Sequence, residues 1–198
     1  MVTQVETKKN YSLLEYFEFE INALELHEYI NGKIISIAGG TPNHNRIISN
    51  LYTTLNSAYK NQPYKVLLAD QKLWIPERRI VTYPDVIVVS GELQLQEGRK
   101  DTIINPLMIM EVLSTSTRNY DKEEKFAAYR TIPSFQEYIL IDQYSYHVEC
   151  YYKTAQGNWV FSEYKNLADI INFNSFLLPI SLADIYDKVS FDLELPVI

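Results

Sequence analysis

Two acidic residues lie within strongly apolar segments, and their placement indicates a site of chemistry. Asp85 directly precedes the apolar run 86–89, and Glu111 directly follows the run 106–110. Short apolar runs rich in β-branched residues are typical of buried strands. A carboxylate is costly to bury unless positive charge compensates it. The two acids together therefore predict a divalent cation bound by Asp85 and Glu111, although either acid alone could instead cap a turn or pair with a surface arginine.

The ligand chemistry of such a pair restricts the metal. Two neighbouring carboxylates raise each other's pKa unless a cation neutralises them. A site built only from oxygen ligands suits Mg²⁺ or Mn²⁺ better than zinc. An ion of this kind polarises a phosphodiester and lowers the pKa of a bound water. The predicted cofactor is therefore Mg²⁺ or Mn²⁺, and the predicted chemistry is metal-assisted hydrolysis.

Lys125 is the best candidate for a catalytic cation beside this metal. It lies in a predicted helix directly after the Glu111 segment, four residues after Asp121 and four before Tyr129. Steps of four residues place these three side chains on one face of an α-helix. The simpler interpretation is a surface ion pair between Asp121 and Lys125, which contributes less than about 1 kcal/mol to stability.

The remaining pattern predicts the elements that position these residues. Helical spacing follows Ser12 over residues 12–20, and alternating segments flank Asn31-Gly32, which is a strong hairpin signal. Thr41 and Pro42 are typical of a helix start, and that helix is predicted to continue to about Tyr59. The other predicted elements are strands at 64–70, 72–76, 83–89, 107–113, 135–142, 145–152 and 159–164, with helices at 121–130 and 182–189.

This order of elements predicts one α/β (α+β) domain, a central mixed β-sheet flanked by helices. The domain is expected to span residues 1–198, with residues 1–11 as a flexible N-terminus and 91–104 as a variable loop. No apolar stretch approaches the roughly 18 residues that span a bilayer. The start of the chain has no apolar signal segment, and the single cysteine, Cys150, has no disulfide partner. We therefore expect a cytoplasmic protein that makes no membrane contact.

The charge distribution leaves an anionic substrate open. A net charge of −7 argues against broad attraction to nucleic acid. Residues 60–130, however, carry eleven Lys and Arg against ten Asp and Glu. If the acids bind a metal, this segment is expected to leave a basic surface around them, formed by Arg78, Arg79, Arg99, Lys100, Arg118, Lys122, Lys125 and Arg130.

The order of these residues resembles the Uma family of restriction-endonuclease-like proteins, over roughly residues 12–153. No single motif is specific, and the shared order carries the resemblance. The matching positions are Glu28–Gly32, Pro42, His44, Pro84-Asp85, Glu111–Ser114, Ser116–Arg118, Asp121, Lys125, Tyr129, Pro133–Tyr138 and Ile141-Asp142. The resemblance implies a restriction-endonuclease-like core of the PD-(D/E)XK type, in which a helix, strands and a second helix surround a Mg²⁺ site.

The resemblance also implies roles for individual residues. Asp85 and Glu111 would be the metal ligands. The lysine usual two positions after the glutamate is replaced by Leu113, and Lys125 would substitute for it from the helix. Tyr129 is expected to pack Lys125 in place.

Glu28 and His44 each keep two interpretations. Glu28 is either an outer metal ligand or base, or a polar group flanking the hairpin. His44 binds a phosphate or satisfies local backbone groups.

Two functions remain open on the sequence. The first is a Mg²⁺-dependent endonuclease that hydrolyses DNA. The alternative is a catalytically silent nuclease fold that binds nucleic acid or another protein. The sixteen tyrosines are expected mostly to be half-buried at sheet edges, although they could also build a dimer interface. This tyrosine content and the resemblance to nucleases that cut two strands with two subunits predict a homodimer.

Overall fold

Strands dominate the part of the chain that this computed structural model describes, residues 10–176 and 178–191. In chain order they are β1 (His27–Ile30), β2 (Lys33–Ser36), β3 (Tyr64–Leu68), β4 (Lys72–Ile75), β5 (Ile80–Thr82), β6 (Val86–Ser90), β7 (Thr102–Ile103), β8 (Met108–Leu113), β9 (Glu137–Asp142), β10 (Val148–Lys153), β11 (Trp159–Tyr164), β12 (Ile170–Asn172) and β13 (Pro179–Ser181). The helices are α1 (Leu13–Asn22), α2 (Pro42–Ala58), α3 (Arg118–Tyr120), α4 (Phe126–Tyr129) and α5 (Leu182–Ile185).

The strands form two large sheets and a small one. The six-stranded sheet has the order β11-β10-β9-β8-β6-β3, and the five-stranded sheet has the order β2-β1-β5-β4-β7. In the larger sheet β8 and β9 are parallel, whereas the other neighbours are antiparallel. β12 and β13 pair only with each other. The predicted α+β class with a mixed, helix-flanked sheet is confirmed, and the second large sheet extends it.

Helices cover both faces of the six-stranded sheet. Ile47 and Leu51 of α2 pack on the face that carries Val86, Met110 and Ile139. On the other face, Phe126 and Tyr129 of α4 join a core formed with the five-stranded sheet. α1 packs on that smaller sheet through Tyr16 and Phe17, which contact a core containing Tyr29, Trp74 and Val81. This packing places the start of β6 and the end of β8 between α2 and the helical segment 118–129.

Local sequence signals explain the start of the chain. Ser12 and Glu15 form the reciprocal hydrogen bonds of a capping box at the start of α1. Asn31 and Gly32 both have positive φ, 45° and 94°, as a tight hairpin turn requires. Thr41 caps α2, with proline at its first position. These three predictions are confirmed.

Several element boundaries differ from the prediction. The segment 91–104 is not only a loop, because it contains β7, which pairs with β4 in parallel. The short strands β5, β12 and β13 were also missed, since two or three residues are too few to show alternation. The final helix ends at Ile185 rather than near residue 189.

The predicted helix 121–130 begins earlier, at Arg118, and is not a continuous α-helix. A π-helical segment (Asp121–Lys125) separates α3 from α4. Single π-helical turns are rare and are found mostly at functional sites. Here the turn carries both Asp121 and Lys125.

The predicted flexible N-terminus falls largely on residues 1–9, which lie outside the described residues. Its last residue, Tyr11, donates a backbone hydrogen bond to Gly32 at 2.8 Å. Seven of the sixteen tyrosines are buried, so the expectation that most of them are half-buried is only partly met. No helix within the described residues has the length and apolar character needed to cross a membrane.

Candidate metal-binding and catalytic site

Antiparallel pairing brings Asp85 and Glu111 to the same edge of the sheet. Val86, the first residue of β6, lies opposite Met110 in β8. Asp85, the residue before β6, therefore lies next to Glu111, near the end of β8. The side chain of Asp85 is 13% exposed, and that of Glu111 is 4% exposed.

The two carboxylates contact each other's strand through backbone amides. The Asp85 N–H donates to Glu111 Oε2 at 3.2 Å, and the N–H of Val112 donates to Asp85 Oδ2 at 2.7 Å. Hydrogen bonds to a carboxylate favour its charged form. These bonds fix both acids next to each other, as the sequence predicted for the pair.

Lys125 lies among three carboxylates. Its Nζ atom is 3.2 Å from Asp121 Oδ1, 3.3 Å from Glu111 Oε1 and 3.4 Å from Glu28 Oε1. The lysine side chain is 10% exposed, so the simpler interpretation of a surface ion pair is wrong. Burial lowers the pKa of Lys125, but the charges of Glu111, Glu28 and Asp121 outweigh it and raise the pKa well above its ordinary value.

Glu111 is held at the centre of this group. The hydroxyl of Tyr129 donates to its Oε1 at 2.7 Å. Burial raises the pKa of Glu111, and the negative charges of Asp85 and Asp121 add to that effect, while Lys125 and the Tyr129 hydrogen bond oppose it. The net shift is upward. Glu111 would therefore ionise more readily if further positive charge were bound beside it.

Glu28 reaches the group from the other sheet. It lies in β1, and the hydroxyl of Thr82 in β5 donates to its Oε1. The contact with Lys125 places the hairpin acid within the cluster rather than merely beside the turn. Sequence reasoning did not identify Thr82 because a lone threonine at a strand end has no distinguishing pattern.

His44 joins the group through Asp85. Its Nε2 atom is 3.3 Å from Asp85 Oδ2. Burial lowers the pKa of His44, but the hydrogen bond and the charge of Asp85 raise it by more, so the net shift is upward. All seven residues singled out in the sequence are thus joined by direct contacts: Glu28, His44, Asp85, Glu111, Asp121, Lys125 and Tyr129. We call these residues the acidic cluster.

The charges of the acidic cluster do not balance. With all four carboxylates ionised, Glu28, Asp85, Glu111 and Asp121 exceed the single ammonium of Lys125 by three negative charges, or by two if His44 is protonated, and the raised pKa of Glu111 reflects this excess. Within the described residues, no three His, Cys, Asp or Glu side chains are already arranged as metal ligands. Mg²⁺, however, is usually bound by one or two carboxylates, with waters and substrate phosphates completing its shell. The pair Asp85 and Glu111 fits that donor set, and the excess negative charge suits a divalent ion.

The prediction of a basic surface around the site is wrong for four of its eight residues, because their charges are paired with acids. Arg99 pairs with Asp101, Arg118 with Asp142 and Lys122 with Glu149, at 2.7, 2.7 and 2.5 Å. Lys125 is the fourth, because its charge is directed into the acidic cluster. Asp142 and Glu149 lie in strands more than twenty residues from their partners, and Asp101 lies two residues from Arg99; a residue count does not show which acid meets which base.

A family model and two relatives match most of this chain. The sequence profile described as "Uma2: Putative restriction endonuclease" matches residues 13–183. "Uncharacterized protein sll1609" of Synechocystis sp. (strain ATCC 27184 / PCC 6803 / Kazusa) is 42% identical over 159 residues, covering 80% of this chain and 90% of the relative. "Uncharacterized protein slr1290" of the same organism is 31% identical over 179 residues, covering 89% and 92%.

A solved structure has the same fold. It is the crystal structure of a "putative nuclease belonging to DUF820" from Anabaena variabilis ATCC 29413. The two chains superpose with a TM-score of 0.73 at 20% sequence identity, over 89% of this chain and 97% of the other. At this identity the comparison establishes the fold alone.

Proposed function

Since this chain belongs to the Uma2 family, we propose that it is an endonuclease that uses Mg²⁺ or Mn²⁺ to hydrolyse phosphodiester bonds in DNA. One observation carries the proposal: Asp85 and Glu111 meet at one edge of the sheet, and Glu111 shares the ammonium of Lys125 with Glu28 and Asp121. A structural ion pair needs only one acid for each base. Groups with perturbed pKa values that converge in this way are typical of functional sites.

Asp85 and Glu111 are the residues that would hold the metal. A bound Mg²⁺ or Mn²⁺ supplies positive charge at the phosphate and lowers the pKa of a water nucleophile. Each carboxylate is already fixed by a backbone amide, Asp85 by that of Val112 and Glu111 by that of Asp85. Little reorganisation of the two ligands is then needed.

Other residues of the acidic cluster act on charge and orientation. Lys125 supplies the positive charge that stabilises the additional negative charge on the phosphate in the transition state. Tyr129 orients Glu111 through its hydroxyl. Glu28 and Asp121 hold the ammonium of Lys125 at the site. In this proposal Lys125 takes the place of the lysine that Leu113 replaces.

A catalytically silent nucleic-acid-binding or protein-interaction module is the second candidate. The ion pairs of Arg99, Arg118 and Lys122 favour its protein-interaction form, because they leave less free positive charge to hold a DNA backbone. Leu113 favours it as well, since it leaves the usual lysine position without a cation.

A cleavage assay separates the two candidates. Supercoiled plasmid and linear duplex are incubated with the protein in Mg²⁺, in Mn²⁺ and in EDTA. We expect nicked or linear product only with a metal, and none from the Asp85→Asn variant. Retention of DNA or of a protein partner without cleavage in either metal would support the silent module instead.

We also propose a two-fold homodimer, which would present two equivalent sites to a duplex. Seven of the tyrosines are buried and so cannot form a dimer interface. The support for a dimer therefore comes from exposed apolar side chains in α1 and just after it. Leu14 and Ile21 are each 68% exposed, and Leu24 is fully exposed. Contiguous exposed apolar side chains often mark interfaces. Sedimentation velocity at micromolar concentration is expected to give a dimer, and a monomer alone would contradict the proposal.

A further inference from the structure

Gln143 is a buried polar side chain directly after β9, and it is not among the residues of the acidic cluster. Only 1% of it is exposed. Its Nε2 donates to the carbonyl of Leu113, at the end of β8, at 2.9 Å. Its Oε1 accepts a hydrogen bond from the hydroxyl of Thr41, at the start of α2. One amide therefore joins two elements that flank the site.

The hydrogen bond with Gln143 sets the orientation of the Thr41 hydroxyl, which caps α2. A threonine hydroxyl has one proton to donate, and Thr41 gives it to Gln143. The lone pairs of that oxygen are then free for the helix, and Thr41 Oγ1 accepts the backbone N–H of His44 at 3.2 Å. Among the described residues, His44 Nδ1 has no hydrogen-bond partner. The imidazole is therefore positioned by its backbone and by its contact with Asp85.

These contacts close into a ring. His44 Nε2 meets Asp85 Oδ2 at 3.3 Å, and the same oxygen accepts the N–H of Val112 at 2.7 Å. Val112 is followed by Leu113, whose carbonyl accepts from Gln143. The ring thus runs through the start of α2, the start of β6, the end of β8 and the residue after β9.

The turn that carries Gln143 is itself fixed. Arg118 donates to Asp142 Oδ2 at 2.7 Å, and the backbone N–H of Tyr144 donates to Asp142 Oδ1 at 2.8 Å. The hydroxyl of Tyr186 donates to the Asp142 carbonyl at 2.9 Å. The backbone that carries Gln143 is therefore held in place. Its side chain can hold the Thr41 hydroxyl and the Leu113 carbonyl in fixed positions.

From this ring we infer that Gln143 is a positioning residue: through Thr41 it holds His44 against Asp85, and so fixes a carboxylate of the metal site. The inference rests on the proposed function and names a residue that the family resemblance did not supply. Partners that orient a metal ligand typically contribute roughly 10- to 100-fold to metal affinity or activity. We expect a loss of that size when the ring is opened.

Mn²⁺ affinity, measured by isothermal titration calorimetry in the absence of DNA, tests the inference. Gln143→Met keeps the length of the side chain but removes both hydrogen bonds. Its dissociation constant for Mn²⁺ is expected to rise about 10- to 100-fold. Thr41→Val, which lacks the hydroxyl, is expected to show a similar rise, whereas Thr41→Ser, which keeps it, should bind like the wild type. Because the Thr41 hydroxyl also caps α2, Gln143→Leu, which likewise removes both hydrogen bonds of Gln143, takes the place of Gln143→Met if that variant fails to fold.

A second buried anchor controls for general destabilisation. Glu137 lies at the other end of β9 and holds the backbone amides of Asn174 and Ser175. Glu137→Gln is expected to lower stability and to leave Mn²⁺ affinity unchanged. The double variant Thr41→Val with Gln143→Met should bind Mn²⁺ no more weakly than either single variant, because both open the same ring.

The outcomes separate this inference from the function on which it rests. Wild-type protein that neither binds Mn²⁺ nor cleaves DNA would overturn the proposed function and this inference with it. Wild-type binding with unchanged affinity in Gln143→Met or Thr41→Val would overturn the positioning role alone. Equal weakening in Glu137→Gln would also overturn it, since the loss would then follow from stability.

Discussion

Two buried glutamates on neighbouring parallel strands have opposite surroundings. Glu137, at the start of β9, is bound by the neutral backbone amides of Asn174 and Ser175 at 2.9–3.1 Å. Glu111, near the end of β8, shares its oxygens with Lys125, with Tyr129 and with the backbone of Asp85. Burial raises the pKa of both carboxyl groups. The burial cost is thus offset by neutral hydrogen bonds at Glu137 and partly by an ammonium at Glu111.

The difference indicates what each carboxylate is for. Fixed amides satisfy Glu137 and tie the segment before β13 to the sheet, which is a structural role. At Glu111 the neighbouring Asp85 and Asp121 raise the pKa, and the single nearby lysine is shared with Glu28. A carboxylate kept beside other carboxylates at a cost to stability is what a cation site requires.

The largest effect that separates the two glutamates is expected for cleavage. Glu111→Gln and Asp85→Asn each remove the charge of a proposed metal ligand with little change in volume. We expect metal-dependent cleavage to fall at least about a thousandfold in either variant, since catalysis depends on the bound ion. Glu137→Gln should cut within about twofold of wild type, because surface and structural changes away from the site leave transition-state contacts intact.

Plasmid-nicking rates measured under single-turnover conditions check this expectation. Circular dichroism of each variant shows whether the fold persists. Normal cleavage by Glu111→Gln, or equal losses of cleavage in Glu111→Gln and Glu137→Gln, would show that the two carboxylates do not differ in their role in cleavage.

The next largest effect is expected for Lys125→Met, which keeps the aliphatic stem and deletes the charge. Cleavage should fall by about a hundredfold, as when one charge-stabilising group is lost. The metal-free protein should also melt at a lower temperature, because Glu28, Glu111 and Asp121 lose their shared counter-ion. Added Mn²⁺ should restore part of that loss.

Lys122→Met is the matched control for Lys125→Met. Lys122 lies on the same π-helical turn, but it pairs with Glu149, outside the acidic cluster. Its cleavage rate should stay within about twofold of wild type, as expected for a partly exposed ion pair. Equal losses at both lysines would instead indicate a diffuse attraction to DNA that weakens with salt.

A smaller effect is expected on stability at Glu137. Replacing its carboxylate by the amide in Glu137→Gln turns one acceptor oxygen into a donor that faces the backbone N–H groups of Asn174 and Ser175. We expect a loss of about 1–3 kcal/mol in the free energy of unfolding, the usual cost of leaving buried donors without acceptors. Urea denaturation measures this value, and an unchanged midpoint would show that the anchor is not structural.

The smallest expected effect is a pH dependence that differs between the two glutamates. A carboxyl group whose pKa is raised in the folded state stabilises the protein fully below its ordinary pKa. That contribution is lost as the pH rises through the folded-state value. The melting temperature of the metal-free protein should therefore fall from about pH 5 to about pH 8, and less so in Glu111→Gln or Glu137→Gln.

Mn²⁺ sharpens this comparison. Metal binding requires a deprotonated ligand, so saturating Mn²⁺ should remove the part of the slope that comes from Glu111 and leave the part from Glu137. Differential scanning fluorimetry across the pH range with and without Mn²⁺ checks this. A slope unchanged by Mn²⁺ would place the metal away from Glu111.

Residues with strong local signals were predictable from sequence. The Asn31-Gly32 turn and the Thr41 cap follow from backbone preferences within a few residues. The proximity of Asp85 to Glu111 was expected if the two apolar runs formed paired strands, and β6 and β8 do pair. These predictions succeeded because the determining interactions are short in range or strongly hydrophobic.

The features that sequence did not reveal depend on distant contacts. β7 has only two residues, and the π-helical turn has the same composition as an ordinary α-helix. Gln143 meets Thr41 across 102 positions of the chain, with no spacing that marks either. Pairing of Lys122 with Glu149 likewise requires the sheet to be assembled first.

The most direct test of the acidic cluster as a metal site is anomalous diffraction from crystals soaked in Mn²⁺. A strong anomalous peak is expected in contact with the carboxylates of Asp85 and Glu111, and none is expected in crystals of Asp85→Asn. No peak in the wild-type cluster at saturating Mn²⁺, with Lys125 still paired to Glu111, would contradict the central claim.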